Sequence, residues 1–149
     1  MSNSEITITL TPGEVYLASM HGIWRRIYKI DGKRQDREQK ERSIWDNEIE
    51  GSCAEMAWCK YLGVYWSGVA DVKAKDSELA EVRWTRHEDG GLLMYSRDNN
   101  ERAYVLAKGF APNFRFVGWL YGHEAKALGD QRSFGILVAQ EHLHPMEGE

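Results

Sequence analysis

Apolar and polar positions alternate at the start of the chain. Residues 5–10, EITITL, alternate apolar and polar with β-branched residues and predict a short strand. TPGE follows. Thr11 is placed to cap a helix, Pro12 suits its first turn, and Glu14 closes a capping box. Leu17, Met20, Trp24 and Ile27 then recur at helical spacing. They predict a first helix to about Ile30, with this stripe as its apolar face and Arg25, Arg26 and Lys29 on its solvated side. Residues 31–42, DGKRQDREQKER, mix charges without an apolar period and read as a solvated loop between two helices. A second helix is predicted from Ile44 to Leu62. Ala54, Ala57, Trp58, Tyr61 and Leu62 form its core face, and Gly63 is its C-terminal stop.

The rest is β-rich. LAEVRWTR and GLLMYS flank HEDGG, which reads as a hairpin turn. RAYVLAKG contains the apolar run Ala103–Ala107 of a central strand. FRFVGWLY and GILVAQ are two further strands, with GHEAKAL as a short helix between them. The order is strand, helix, helix, hairpin, strand, strand, short helix, strand. It predicts one α/β (α+β) domain over residues 1–149, with helices against a mixed sheet.

Composition narrows the function classes. The chain is 42% hydrophobic and 28% charged, as in an ordinary globule, and its formal charge of −4 excludes DNA binding by bulk charge alone. Cys53 and Cys59 match no zinc spacing and read as reduced thiols of a cytoplasmic protein. No apolar run reaches membrane-spanning length, and no signal-peptide core is present. The six tryptophans and seven tyrosines point to a core or an interface.

The candidate chemistry centres on DSELAEVR, residues 76–83. On a strand, Glu81 and Arg83 share a face with Val82 opposite, and Asp76 lies just before. Converging carboxylates can hold a hard divalent cation, and a neighbouring guanidinium can engage phosphate. Glu48 and Glu55, seven residues apart, share one face of the second helix. Glu55 lies near the core boundary, where a carboxylate needs a metal or an arginine. Taken alone, DSELAEVR reads more simply as an edge strand with solvated charges, and Glu55 as an acid at a helix rim. His142 and His144 read as surface residues, because no converging acid accompanies them.

The ordered runs EMAWCKYLGVYW, DSELAEVRWT, GGLLMYSRDN, YVLAKG, FRFVGWLYGHEAK and VAQEHLHPM resemble small proteins of tailed phages and prophages. These in turn resemble the PD-(D/E)XK nuclease superfamily of restriction endonucleases and Holliday-junction resolvases. The resemblance covers roughly residues 45–146. It implies a restriction-endonuclease-like core of helix, three-stranded meander, helix and strand, with an added N-terminal strand and helix. It also implies a Mg²⁺- or Mn²⁺-dependent phosphodiester hydrolase acting on DNA. Asp76 and Glu81 would be the metal acids, Glu55 a third, and Arg83 would stand where the superfamily usually has lysine. Asp71 is an alternative to Asp76, and Glu48 a further candidate acid. Arg83 cannot act as a base but can hold a phosphate.

Lys73, Lys75, Arg86 and Lys108 are the candidate phosphate contacts, with Arg25, Arg26, Lys29 and Lys126 further off, and Trp84 and Trp119 are candidate stacking platforms. Three readings stay open: a nuclease, a catalytically silent nuclease fold that binds DNA or serves phage assembly, and an interaction protein with a phage or host protein as partner. A homodimer is compatible with each.

Overall fold

A computed structural model describes residues 5–31, 44–66 and 80–146. Asp71, Lys73, Lys75, Asp76 and the charged loop lie outside the described residues. Strand β1 (Ile6–Thr9) leads into helix α1 (Pro12–Asp31), and α2 spans Ile44–Leu62. The capping box forms as expected: Thr11 N–H donates to Glu14 Oε1 at 2.7 Å, and Glu14 N–H donates to Thr11 Oγ1 at 3.2 Å. Gly63 ends α2 with φ +75°, a conformation that glycine adopts without strain.

The strands are β2 (Glu81–Thr85), β3 (Leu92–Met94), β4 (Ala103–Phe110), β5 (Asn113–Tyr121), β6 (Asp130–Arg132), β7 (Gly135–Val138) and β8 (His144–Pro145), with α3 (Gly122–Leu128) after β5. The fold is α+β. The larger sheet runs β1-β5-β4-β2, with β8 also on β5, and the smaller runs β3-β7-β6. Strand β4 lies antiparallel to β5 and parallel to β2.

The expected hairpin is corrected. Strand β2 pairs with β4, and β3 pairs with β7 in the other sheet. Residues 87–90 do close a turn, with Gly90 N–H donating to His87 O at 3.0 Å. The glycines answer a different need: a Cβ on Gly91 would lie 2.6 Å from Val138 O, where β3 enters against β7. The three-stranded meander implied by the resemblance is therefore not formed by β2, β3 and β4.

Each face of the larger sheet builds its own core. On one, Val105, Ala107, Phe114 and Phe116 pack with Ala54, Ala57 and Trp58 of α2, and Val82 and Trp84 join from β2. On the other, Tyr104, Leu106 and Leu120 pack with Leu92, Met94, Ile136 and Val138 of the smaller sheet and Ala125 of α3. Between Leu106 and Ala107 the register jumps from Gly118 to Phe116, so Val117 is an extra residue on β5. This bulge keeps both Phe116 and Trp119 on the helical side.

Helix α1 is oriented opposite to the expectation. Leu17, Met20, Trp24 and Ile27 are exposed, Trp24 by 57%, whereas Ala18 is buried and Arg26 only 8% exposed. The basic side faces α2. Arg25 donates to both oxygens of Glu55, at 2.7 and 3.1 Å, and Lys29 to Glu48 at 2.5 Å. Glu48 and Glu55 therefore do share a face, and that face meets α1. Half-buried carboxylates need cations beside them, and this requirement outweighs burial of the apolar stripe.

Gly22 lets the helices close: a Cβ there would lie 2.6 Å from Ile49 Cα and 2.7 Å from Glu48 O. Alanine favours helix by about 1 kcal/mol over glycine, but overpacking costs about 1–3 kcal/mol. Gly22→Ala should therefore destabilise the chain, seen as a lower urea midpoint.

Candidate functional site

Strand β2 carries Glu81 and Arg83 on the face turned to the smaller sheet, with Val82 and Trp84 on the helical face, as the alternation requires. The Arg83 guanidinium is enclosed. Nη1 donates to Leu93 O at 3.0 Å and to Asp98 Oδ2 at 3.2 Å. Nη2 donates to Glu81 Oε2 and Asp98 Oδ1, each at 3.1 Å. The Tyr104 ring lies beneath it at 4.8 Å and the Tyr95 ring at 5.9 Å.

Asp98 is itself held. Its Oδ2 accepts the Tyr95 N–H at 2.7 Å, and Lys126 of α3 ties the same turn through Ser96 O, Asp98 O and Asn100 Oδ1. Glu81 also meets Arg102 Nε at 3.5 Å. Burial works to lower the Arg83 pKa, but the hydrogen bonds to Asp98 and the charges of Glu81 and Asp98 hold it above the ordinary arginine value. Arg83 therefore stays a cation. It cannot serve as a base, and a phosphate reaching it would have to displace Asp98. Glu81 is the more open partner, with its side chain 42% exposed against 19% for Arg83.

The structure separates the predicted metal acids. Glu55 stands on α2, on the helical side of the sheet, bound to Arg25, while Glu81 projects from the other side. Glu55 and Glu48 are thus held as helix–helix partners of Arg25 and Lys29, while Asp71 and Asp76, the other acids of the expected site, lie outside the described residues. A Mg²⁺ site that joins Glu55 to Glu81 does not fit these residues. Among the described residues, no three His, Cys, Asp or Glu side chains are grouped so as to hold a metal ion.

Of the predicted phosphate contacts, Arg86 and Lys108 are described, and both are engaged. Lys108 is buried and meets Glu5 at 3.3 Å, the Glu88 carboxylate at 3.0 Å and Glu88 O at 3.1 Å. It is a structural cation. Arg86 donates to Asn47 Oδ1 at 2.9 Å and lies over the Trp84 ring. Trp84 donates its indole N–H to Gly109 O at 2.8 Å, and Trp119 packs edge-on to Tyr121 and against His144. Neither tryptophan is an open stacking platform.

His144 does meet an acid: Nε2 lies 2.9 and 3.0 Å from the two oxygens of Glu124. Glu124 accepts the Tyr121 N–H at 2.9 Å. That backbone bond, followed by His144, lowers its pKa against the opposing effect of burial. Cys53 and Cys59 are buried and joined in no disulfide, as expected of reduced thiols.

Asp98, Arg102, Tyr95 and Tyr104 complete the Arg83 cluster and were not anticipated. The available signal was Arg83 itself, since an arginine on a strand face turned inward needs a carboxylate. Comparison with protein-family models, with curated proteins and with solved structures finds no match. No described helix is long and apolar enough to cross a membrane.

Two outcomes test this electrostatic scheme. Asp98→Asn keeps the shape but removes the charge, and should cost about 1.5–3 kcal/mol in urea unfolding, the worth of a hydrogen bond to a charged group, because Arg83 keeps only Glu81 as a carboxylate partner. Arg115 donates to both oxygens of Glu88 at 2.6 and 2.8 Å. Arg115, and then Lys108, lower the Glu88 pKa from 4.5 to about 2. A depressed carboxylate adds stability that is full above its unfolded pKa and is lost as pH falls towards the folded value. The chain should therefore lose stability from about pH 4.5 down to about pH 2, and Glu88→Gln should show a smaller loss across that window in thermal melts.

Proposed function

We propose that the chain is a protein-assembly module that works through the outer face of α1, without phosphodiester cleavage. One observation carries this reading: α1 turns its cations inward to Glu48 and Glu55 and presents Leu17, Met20, Trp24 and Ile27 to solvent. Exposed apolar surface of this extent marks interaction sites. Among the described cations, Arg25, Lys29, Arg83 and Lys108 are each paired with carboxylates, and Arg86 is held by Asn47 over the Trp84 ring, so none of these five is open to a phosphate backbone.

A metal-dependent nuclease of the PD-(D/E)XK kind is the second reading. Glu81 favours it, as a half-open carboxylate at the first residue of an edge strand, beside the fixed cations Arg83 and Arg102. The two readings separate in one experiment. The full chain is incubated with supercoiled plasmid, branched DNA and single-stranded DNA, with Mg²⁺ and with Mn²⁺. The assembly reading expects no cleavage above background and no salt-sensitive DNA binding. Cleavage that disappears in Glu81→Ala would make the nuclease reading correct, and salt-sensitive binding without cleavage would make the chain a DNA-binding module.

A further inference from the structure

The outer face of α1 has a regular geometry. Leu17, Met20, Trp24 and Ile27 follow one another at steps of three, four and three, the spacing of a coiled-coil seam. Tyr16, Tyr28 and Ile30 flank them, all exposed. At 100° per residue these seven span one side of the helix, opposite Ala18, Gly22, Arg25 and Lys29. Between Tyr16 and Ile30 this side carries no charged residue, because Arg25, Arg26 and Lys29 all lie on the other.

We propose that the occupant of this face is a second copy of the chain, packed α1 against α1 about a twofold axis. The proposal rests on the assembly reading and names its partner. Three physical arguments select a second copy. First, a twofold contact sets each patch against itself, and an uncharged patch meets its own copy without like-charge repulsion. A partner recognised by charge would find nothing on this face to complement. Second, each residue of a three-four-three seam can act as knob and as hole, so the stripe is complementary to itself. Third, the area is sufficient. Large aromatic side chains can bury ~150–250 Å² each, so three aromatics and four aliphatics at about half exposure or more present on the order of 800 Å². One partner of a standard interface contributes about that much, and the largest patch on a typical monomer is ~300–600 Å².

The test combines mass with accessibility. Sedimentation of the full chain should show a dimer, and Trp24→Glu and Ile27→Lys should each weaken dimerisation at least ~30-fold, as for a central interface residue. Both positions are exposed in the single chain, so neither substitution should unfold it, which a thermal melt verifies. Met20→Cys is then labelled with a maleimide at several protein concentrations. The native thiols are buried and react slowly. Protection that grows with concentration supports a second copy.

A monomer at all concentrations, with Met20→Cys labelled as fast as a free thiol, overturns the dimer and leaves the assembly reading to a different partner. A monomer whose Met20→Cys is protected independently of concentration means that the chain covers its own face, and overturns both. A dimer indifferent to both substitutions also overturns the proposal, because its contact lies elsewhere.

Discussion

Two carboxylates on α2 decide which way α1 faces. Glu48 and Glu55 sit on the side of α2 that another helix must cover, and neither can be left there without a cation. Arg25 supplies the cation for Glu55 and Lys29, one turn on, that for Glu48, and Gly22 and Ala18 let the two backbones approach closely enough for the pairs to form. Helix α1 had an alternative, with its apolar stripe inward and its basic side in water. That arrangement would bury more hydrocarbon, but would leave Glu48 and Glu55 unpaired against a greasy neighbour. Removing one partner from a buried pair costs several kcal/mol, comparable with burying two large side chains. The ion pairs thus offset much of what the apolar stripe forgoes, and the exposed face is their consequence.

The larger sheet applies a second constraint. Strand β4 is buried on both sides, with Val105 and Ala107 towards α2 and Tyr104 and Leu106 towards the smaller sheet. A sheet with a core on each face acts as a wall, and every side chain of β2 must fall on one side of it. Glu81 and Arg83 fall on the side of the smaller sheet and Glu55 on the other. The Arg83 cluster is best understood as a polar plug where the two sheets meet. Asp98, Glu81 and Leu93 O take up the guanidinium donors, and Tyr104 and Tyr95 cover its planar faces. Such a plug joins β2, the 95–98 turn and β4, and through Lys126 also α3.

Much of the fold was legible in the sequence wherever local chemistry decides. The bounds of α2 and α3, the Thr11–Glu14 capping box, Gly63 as a stop and β4 as a doubly buried strand follow from capping, spacing and an unbroken apolar run. The failures have one physical origin, which is that partners are chosen at long range. The alternation of LAEVRWT predicts a strand, but no local rule says that β2 pairs in parallel with β4 and not with β3. The heptad-like stripe of α1 correctly marks an apolar face, and whether that face turns inward depends on acids more than 20 residues away. The same holds at the candidate site. The common face of Glu81 and Arg83 could be read from strand parity, whereas Asp98 enters from a turn with no periodic signal.

Electrostatic self-sufficiency links these features. Among the described residues, Arg25, Lys29, Lys60, Arg83, Lys108 and Arg115 each close on a carboxylate of the same chain. These six have little field to offer a polyanion, since a phosphate would have to compete with a carboxylate already held in place. On the proposed assembly reading, recognition relies on shape and apolar area, which are short-ranged and demand that two surfaces fit. Helix α1 meets that demand in a way the Glu81–Arg83 edge does not. Its outer face is broad, uncharged and fixed from behind by two ion pairs, so an incoming surface does not have to order it first, and little of the contact energy is lost to ordering.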